Sequence, residues 1–237
     1  VCIGLAAAPT SAFAAKKAKA KSKPAAEAVE PIKPSPTIAS MADWAVRSGD
    51  NQDLPFAIID KTAATVFVFK GDGEFIAAAP ALLGLANGDN STPGIGDREL
   101  SDIMPEDRTT PAGRFVGGYG PAAGKTEDVL WVDYGTAISL HAVVTTNPAE
   151  KRLQRLKSKT IEDNRISFGC INVPTKFYRD TVQKTFTGTR GVFYILPEQK
   201  SMAEVFPSFA METQLASFAD APVSPERSGS HHPSGWW

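Results

Sequence analysis

Histidine and cysteine are scarce in this chain, at three and two residues respectively. Two of the histidines, His231 and His232, and one of the cysteines, Cys2, sit in terminal segments, so the central region holds one imidazole and one thiol. That pair cannot supply the four ligands of a structural zinc, and neither a metal nor a cofactor is implied. Charge of one sign is also missing. The formal net charge is -1, which argues against the strongly basic surface that nucleic-acid binding requires. Long apolar runs are absent as well. The longest, Phe75 to Ala86, is broken by Pro80 and is too short to cross a bilayer. No internal repeat is visible, and no G-x-S-x-G elbow occurs.

Glycine and proline are plentiful, at 19 and 18 residues, and point to many turns and a β-rich domain. The apolar fraction of 42% is enough for a real core. Residues 1–14, VCIGLAAAPTSAFA, are uncharged and end in small residues, like the tail of a secretory signal peptide cleaved after Ala14. Residues 15–37 form a basic, then Pro-rich, low-complexity spacer with too few large apolar groups to repay ordering. Residues 198–237 read as a disordered tail with a short helix near Ser201 to Phe206, leaving 38–197 as the folded domain. The expected location is outside the cytoplasm, in the periplasm or at the cell wall. With Cys2 in the presumed signal segment, Cys170 is left unpaired. It is either a reactive thiol or a lone buried structural cysteine.

Strand signals fall at Phe56–Asp60, Thr65–Phe69, a run from Phe75, Arg114–Gly118, Val129–Tyr134, Ala137–Val144 and Val192–Leu196. The Gly-, Pro- and Asp-rich stretch from Asn87 to Pro111 reads as a long surface loop, a kind of loop that is often functional. Three helices are expected, one starting at Ser40. A second runs from Asn147 to Lys157, with Asn147 as cap, Pro148 at the first position and Glu150 reaching back. The third follows Pro174 and ends at Gly188.

His141 lies in the alternating run Ile138–Val144, and Cys170 in Ile166–Val173. One imidazole and one thiol, both in strand-like segments, are the minimum for thiol catalysis, in which histidine takes the proton and the thiolate attacks a carbonyl. Gly169 would let a substrate approach closely, with backbone N–H groups near Cys170 open to an oxyanion. A Ser-His-Asp arrangement built on His141 stays open.

These residues resemble the L,D-transpeptidase (YkuD-like) family, which carries a histidine followed later by a Ser/Thr-His-Gly-Cys-hydrophobic-Asn/Arg signature. His141 matches the leading histidine, and Ser167, Gly169, Cys170, Ile171 and Asn172 match the signature. Thr110-Pro111-Ala112-Gly113-Arg114-Phe115 resembles the family's Thr-Pro-x-Gly-x-Phe segment, and Ile58–Phe69 its opening hairpin. The resemblance spans roughly residues 54–197, in the right order.

The resemblance implies a mainly β domain with short helices, a sandwich or partly closed barrel of mixed strands. It implies Cys170 as nucleophile, His141 as base and the Ala142 carbonyl as the group that holds the imidazole tautomer. Ser167, Phe168, Gly169, Asn172, Tyr134 and Arg165 are the candidate substrate contacts. The partner would be a peptidoglycan stem peptide, acted on by a monomer without nucleic acid or membrane span. Two departures stand out. Phe168 replaces the usual histidine two positions before the cysteine, and the His141–Ser167 stretch is long, as though the 147–157 helix were inserted as a lid or a surface elaboration. Papain and NlpC/P60 peptidases place cysteine before histidine, the opposite of the order here. A non-catalytic wall-associated domain, for which Phe168 speaks, is the remaining competitor.

Overall fold

The computed structural model describes residues 31–122 and 128–219. The expected signal segment, most of the expected spacer and the last part of the expected tail lie outside these residues. The first helix, α1 (Pro36–Arg47), starts four residues before Ser40. Pro36 has its φ preset for a first turn, and the Ser35 hydroxyl accepts the Ile38 N–H at 3.4 Å. Ile38, Met41, Ala42 and Ala45 recur at helical spacing and are buried.

Eight strands form one mixed sheet: β1 (Phe56–Asp60), β2 (Thr65–Phe69), β3 (Phe75–Pro80), β5 (Gly113–Gly120), β6 (Val129–Asp133), β7 (Ile138–Ala142), β9 (Ile171–Val173) and β10 (Arg190–Ile195). Their spatial order is β3-β2-β1-β10-β5-β6-β7-β9. Two short strands, β4 (Leu83–Gly84) and β8 (Arg165–Ser167), pair separately. This is the mainly β, partly closed mixed architecture expected from the sequence. Each expected strand is present to within a few residues.

β1, β2 and β10 read as continuous apolar runs because both of their faces are covered. Ala57, Ile59, Val66, Val68, Phe193 and Ile195 join the inner core, together with Leu130, Leu140 and Ile171. A helical run following Pro174 closes that core. It comprises α3 (Thr175–Phe177), a π turn over Tyr178–Val182 and α4 (Gln183–Phe186), and it buries Tyr178, Val182 and Phe186. Gly188, at φ +78, occupies the left-handed position that ends the helix.

On the outer face, Phe56, Ile58, Phe69, Val192 and Tyr194 pack under α1 and under two C-terminal helices, α5 (Met202–Val205) and α6 (Pro207–Ala219). The reading of the tail as disordered is corrected for residues 198–219, where the expected short helix near Ser201 is followed by a longer one. Phe206 and Phe209 are buried, and the Phe209 ring meets Trp44 edge-on at 5.7 Å. A few apolar residues in a polar stretch suffice when a strand face waits uncovered. No described helix is long and apolar enough to cross a membrane.

The segment expected as one helix from Asn147 to Lys157 is broken. A single 3-10 turn at Pro148–Glu150 and the short α2 (Arg152–Arg155) are separated by Lys151 in the left-handed region, φ +51. Asn147 caps as expected, accepting the Ala149 N–H at 3.2 Å. Glu150 does not reach back, because its carboxylate is engaged by Arg152 Nε at 2.5 Å.

Candidate active site

β7 and β9 are neighbouring parallel strands, paired Leu140↔Ile171, His141↔Asn172 and Ala142↔Val173. Parallel strands require a long crossover, and the chain between residues 143 and 170 supplies it. Along β7 the side chains alternate, with Ile138 and Leu140 in the inner core and Ser139 and His141 on the other face. One step back in register, Ser139 stands beside Cys170, the residue just before β9. The topology therefore gathers imidazole, hydroxyl and thiol at one place.

The thiol is half-buried. Ser139 Oγ donates to Cys170 Sγ at 3.4 Å, and Sγ lies 3.7 Å from the Ala137 carbonyl. Burial pushes this thiol up. The hydrogen bond and charge of His141, helped by Ser139, outweigh that cost and hold the thiol below its ordinary value. His141 Nδ1 lies 2.8 Å from the Ala142 carbonyl oxygen. A carbonyl only accepts, so Nδ1 carries the proton and Nε2 is left with a lone pair.

The turn carrying Cys170 is pinned from several sides. Gly169 adopts φ +124, and a Cβ there would stand 2.7 Å from Ile138 Cδ1 and 2.8 Å from the Thr109 carbonyl oxygen. Ser167 Oγ donates to the Cys170 carbonyl at 2.6 Å and accepts the Gly169 N–H at 3.1 Å. That second bond engages the Gly169 N–H within its own turn. Asn172 Nδ2 donates to the same Cys170 carbonyl at 3.1 Å, while its Oδ1 accepts from Arg152 at 2.8 Å. Ser167 and Asn172 are both buried, so their polar groups brace the turn that carries Cys170. The inserted segment thus reaches the site through Arg152, and Leu156 anchors it against Leu82 and Val143.

A small cleft opens beside Cys170. The 87–111 segment walls it through Ile95, Ile103 and Asp107, with Ile138 and Phe168 completing the lining. Phe168 lies under the Arg108 guanidinium, 4.0 Å from ring centroid to Cζ, and Arg108 is itself held by the Ile103 carbonyl. The two other candidate contacts lie elsewhere. Tyr134 is exposed, edge-on to Trp131 at 5.1 Å. Arg165 is taken by Glu198 and by the Lys61 carbonyl. Among the described residues no group of His, Cys, Asp and Glu could hold a metal ion.

Sequence reasoning missed Ser139, Arg108 and Arg152 as parts of this arrangement. Ser139 had a signal, since it sits two residues before His141 in an alternating strand. Arg108 and Arg152 had none, because their partners Phe168 and Asn172 are distant in sequence.

Fold and pair together define a mainly β domain carrying a thiol–imidazole couple on adjacent parallel strands. No family model and no curated protein matches the chain. Most of the solved structures similar to it are L,D-transpeptidase catalytic domains. Similar structures include the catalytic domain of the E. faecium L,D-transpeptidase, at 15% identity and TM-score 0.36, covering 61% of this chain and 98% of that one. The L,D-transpeptidase from Mycobacterium smegmatis is another, at 16% identity and TM-score 0.33, covering 60% and 58%. The helical cell shape determining protein Pgp2 from Campylobacter jejuni is a third, at 15% identity and TM-score 0.41, covering 68% and 57%. The chain thus spans less than three fifths of the length of the last two.

Proposed function

We propose that the chain is an exported cysteine-dependent L,D-transpeptidase that acts on tetrapeptide stems of peptidoglycan. The observation that carries this reading is geometric: the β7–β9 register brings Cys170 to the face of β7 that carries Ser139 and His141, with His141 Nδ1 held by the Ala142 carbonyl. The signature around Cys170 supplies the substrate class, by resemblance.

In the proposed reaction His141 Nε2 takes the thiol proton, and Cys170 Sγ attacks the carbonyl of the diamino acid at position three. The tetrahedral intermediate collapses, the bond to the terminal D-alanine breaks, and His141 returns the proton to the departing amine. A thioester remains. The side-chain amine of a second stem attacks it, loses a proton to His141, and releases Cys170 with a 3-3 cross-link formed. If water attacks instead, the same residues make an L,D-carboxypeptidase. That is the second reading, and it shares every step up to the thioester. Phe168, packed under Arg108, takes no part in proton transfer because it has no titratable group.

The test is incubation with purified disaccharide-tetrapeptide, read by mass spectrometry beside a Cys170→Ala control. Cysteine-dependent loss of D-alanine with cross-linked dimers supports the transpeptidase, and tripeptide alone supports the carboxypeptidase. Unchanged substrate with no acyl adduct on Cys170 would leave the non-catalytic domain as the better reading.

A further inference from the structure

The densest buried charge in the described residues is not at the thiol but behind it. Lys61, in the β1–β2 turn, is fully buried. Its ammonium donates to Asp89 Oδ1 at 2.6 Å, to the Gly88 carbonyl at 2.6 Å and to the Thr110 carbonyl at 3.0 Å. Glu198 lies 3.3 Å from the same nitrogen. Asp89 in turn accepts the backbone N–H groups of Glu198, Gln199 and Lys200, at 3.0, 2.8 and 2.6 Å. A buried ammonium is costly unless its donors are all used, and here two backbone carbonyls and the carboxylates of Asp89 and Glu198 surround it.

The network continues toward Cys170 through Thr110. Its carbonyl is held by Lys61, and its hydroxyl donates to the Gly169 carbonyl at 2.7 Å while accepting the Gly84 N–H at 2.8 Å. Thr110 is itself fully buried. Gly84 packs so close to the 108–110 backbone that no side chain would fit between them. A Cβ on it would stand 2.3 Å from the Arg108 carbonyl oxygen and 2.7 Å from the Thr110 nitrogen. The Gly169 carbonyl is one peptide from Cys170, so whatever fixes Thr110 fixes the turn that presents the thiol.

We propose that Lys61 and Thr110 are positioning residues for Cys170, a buried relay in which the ammonium sets Thr110 and the Thr110 hydroxyl sets the Gly169–Cys170 turn against His141. This rests on Cys170 acting as the nucleophile. Neither residue touches the thiol. Their effect is on the distance and angle between Sγ and the imidazole, and so on the fraction of thiolate at neutral pH.

The test is the pH profile of iodoacetamide alkylation at Cys170, followed by peptide mass spectrometry on full-chain protein shown to be folded by circular dichroism. Thr110→Val removes the hydroxyl at nearly constant volume, Thr110→Ser restores it, and Lys61→Met removes the charge. Thr110→Val is expected to move the alkylation midpoint to higher pH and, at any pH well below the midpoint, to slow alkylation by about tenfold for every pH unit the midpoint moves. Thr110→Ser should return the profile to the wild-type midpoint. If Lys61→Met folds, it should move the midpoint in the same direction. If it does not fold, the Thr110 pair decides alone. A folded Thr110→Val protein with the wild-type midpoint overturns the proposal. Alkylation needs no peptidoglycan, so this result stays separate from the Cys170→Ala turnover assay that tests the function.

Discussion

Ser139 Oγ lies 3.4 Å from Cys170 Sγ, and the parallel register of β7 with β9 brings the two together. A hydroxyl that donates to sulfur stabilises the thiolate more than the thiol. Ser139→Ala removes that donor without disturbing the alternation of β7. A lost hydrogen bond of about 1 kcal/mol corresponds to slightly under one pH unit in the thiol midpoint. The expected outcome is an upward move of that size in the thiolate titration, with the fold unchanged. An unmoved titration would mean His141 alone sets the thiol.

Gly169→Ala tests the turn itself. The added methyl meets Ile138 and the Thr109 backbone well inside van der Waals contact, at a backbone angle that favours glycine. The expected cost is about 1–3 kcal/mol of stability. Displacement of the adjacent Cys170 should also slow its alkylation at neutral pH. Denaturant unfolding reads the first effect and alkylation kinetics the second. A stable protein with wild-type thiol reactivity would contradict the close approach.

How far the sequence reveals this molecule depends on which force sets each part. The strands were legible because β-branched and aromatic runs such as Thr65–Phe69 signal strand locally. The Cys170–His141 pair was legible because scarcity left one thiol and one imidazole. Roles set by long-range partners were not. Ser167 and Asn172 read as possible substrate contacts until their polar groups were found engaged with the Cys170 carbonyl. Arg165 carried the same ambiguity, and Glu198 takes it. The longer helix α6 escaped notice because its order comes from an outer core built largely by α1, β1 and β2, more than a hundred residues earlier in the chain, not from its own periodicity.

The C-terminal helices make a stability prediction. Truncation after Lys200 keeps the N–H groups that Asp89 accepts but strips Phe206 and Phe209 from the outer core. At about 1.5–3 kcal/mol for each buried aromatic, the truncated chain should lose roughly 3–6 kcal/mol or fail to fold. Glu212→Ala, which removes one of the two exposed partners of Arg47, should cost less than about 1 kcal/mol. Thermal unfolding of the two variants separates packing from surface charge. Equal losses would mean that α6 is held by its ion pair, not by its aromatic residues.

Asp89 predicts an acid limit. Burial pushes its carboxyl up, but the Lys61 ammonium and three backbone N–H groups more than offset that and bring it down to about 2. The folded value is therefore below that of the unfolded chain. Its stabilisation is fully present above the ordinary carboxylate value of 3.8 and is lost as pH falls from there toward 2. The size is on the order of 2 kcal/mol. Glu198 is the other carboxylate facing Lys61, so Asp89→Asn isolates the Asp89 contribution. The amide that replaces the carboxylate cannot titrate. The variant should therefore be less stable at neutral pH, with a shallower loss between pH 4 and pH 2, by about the same 2 kcal/mol. Denaturant unfolding at a series of pH values measures both slopes. Parallel slopes for wild type and Asp89→Asn would place the acid sensitivity at another carboxylate and remove Asp89 as the anchor of the buried ammonium.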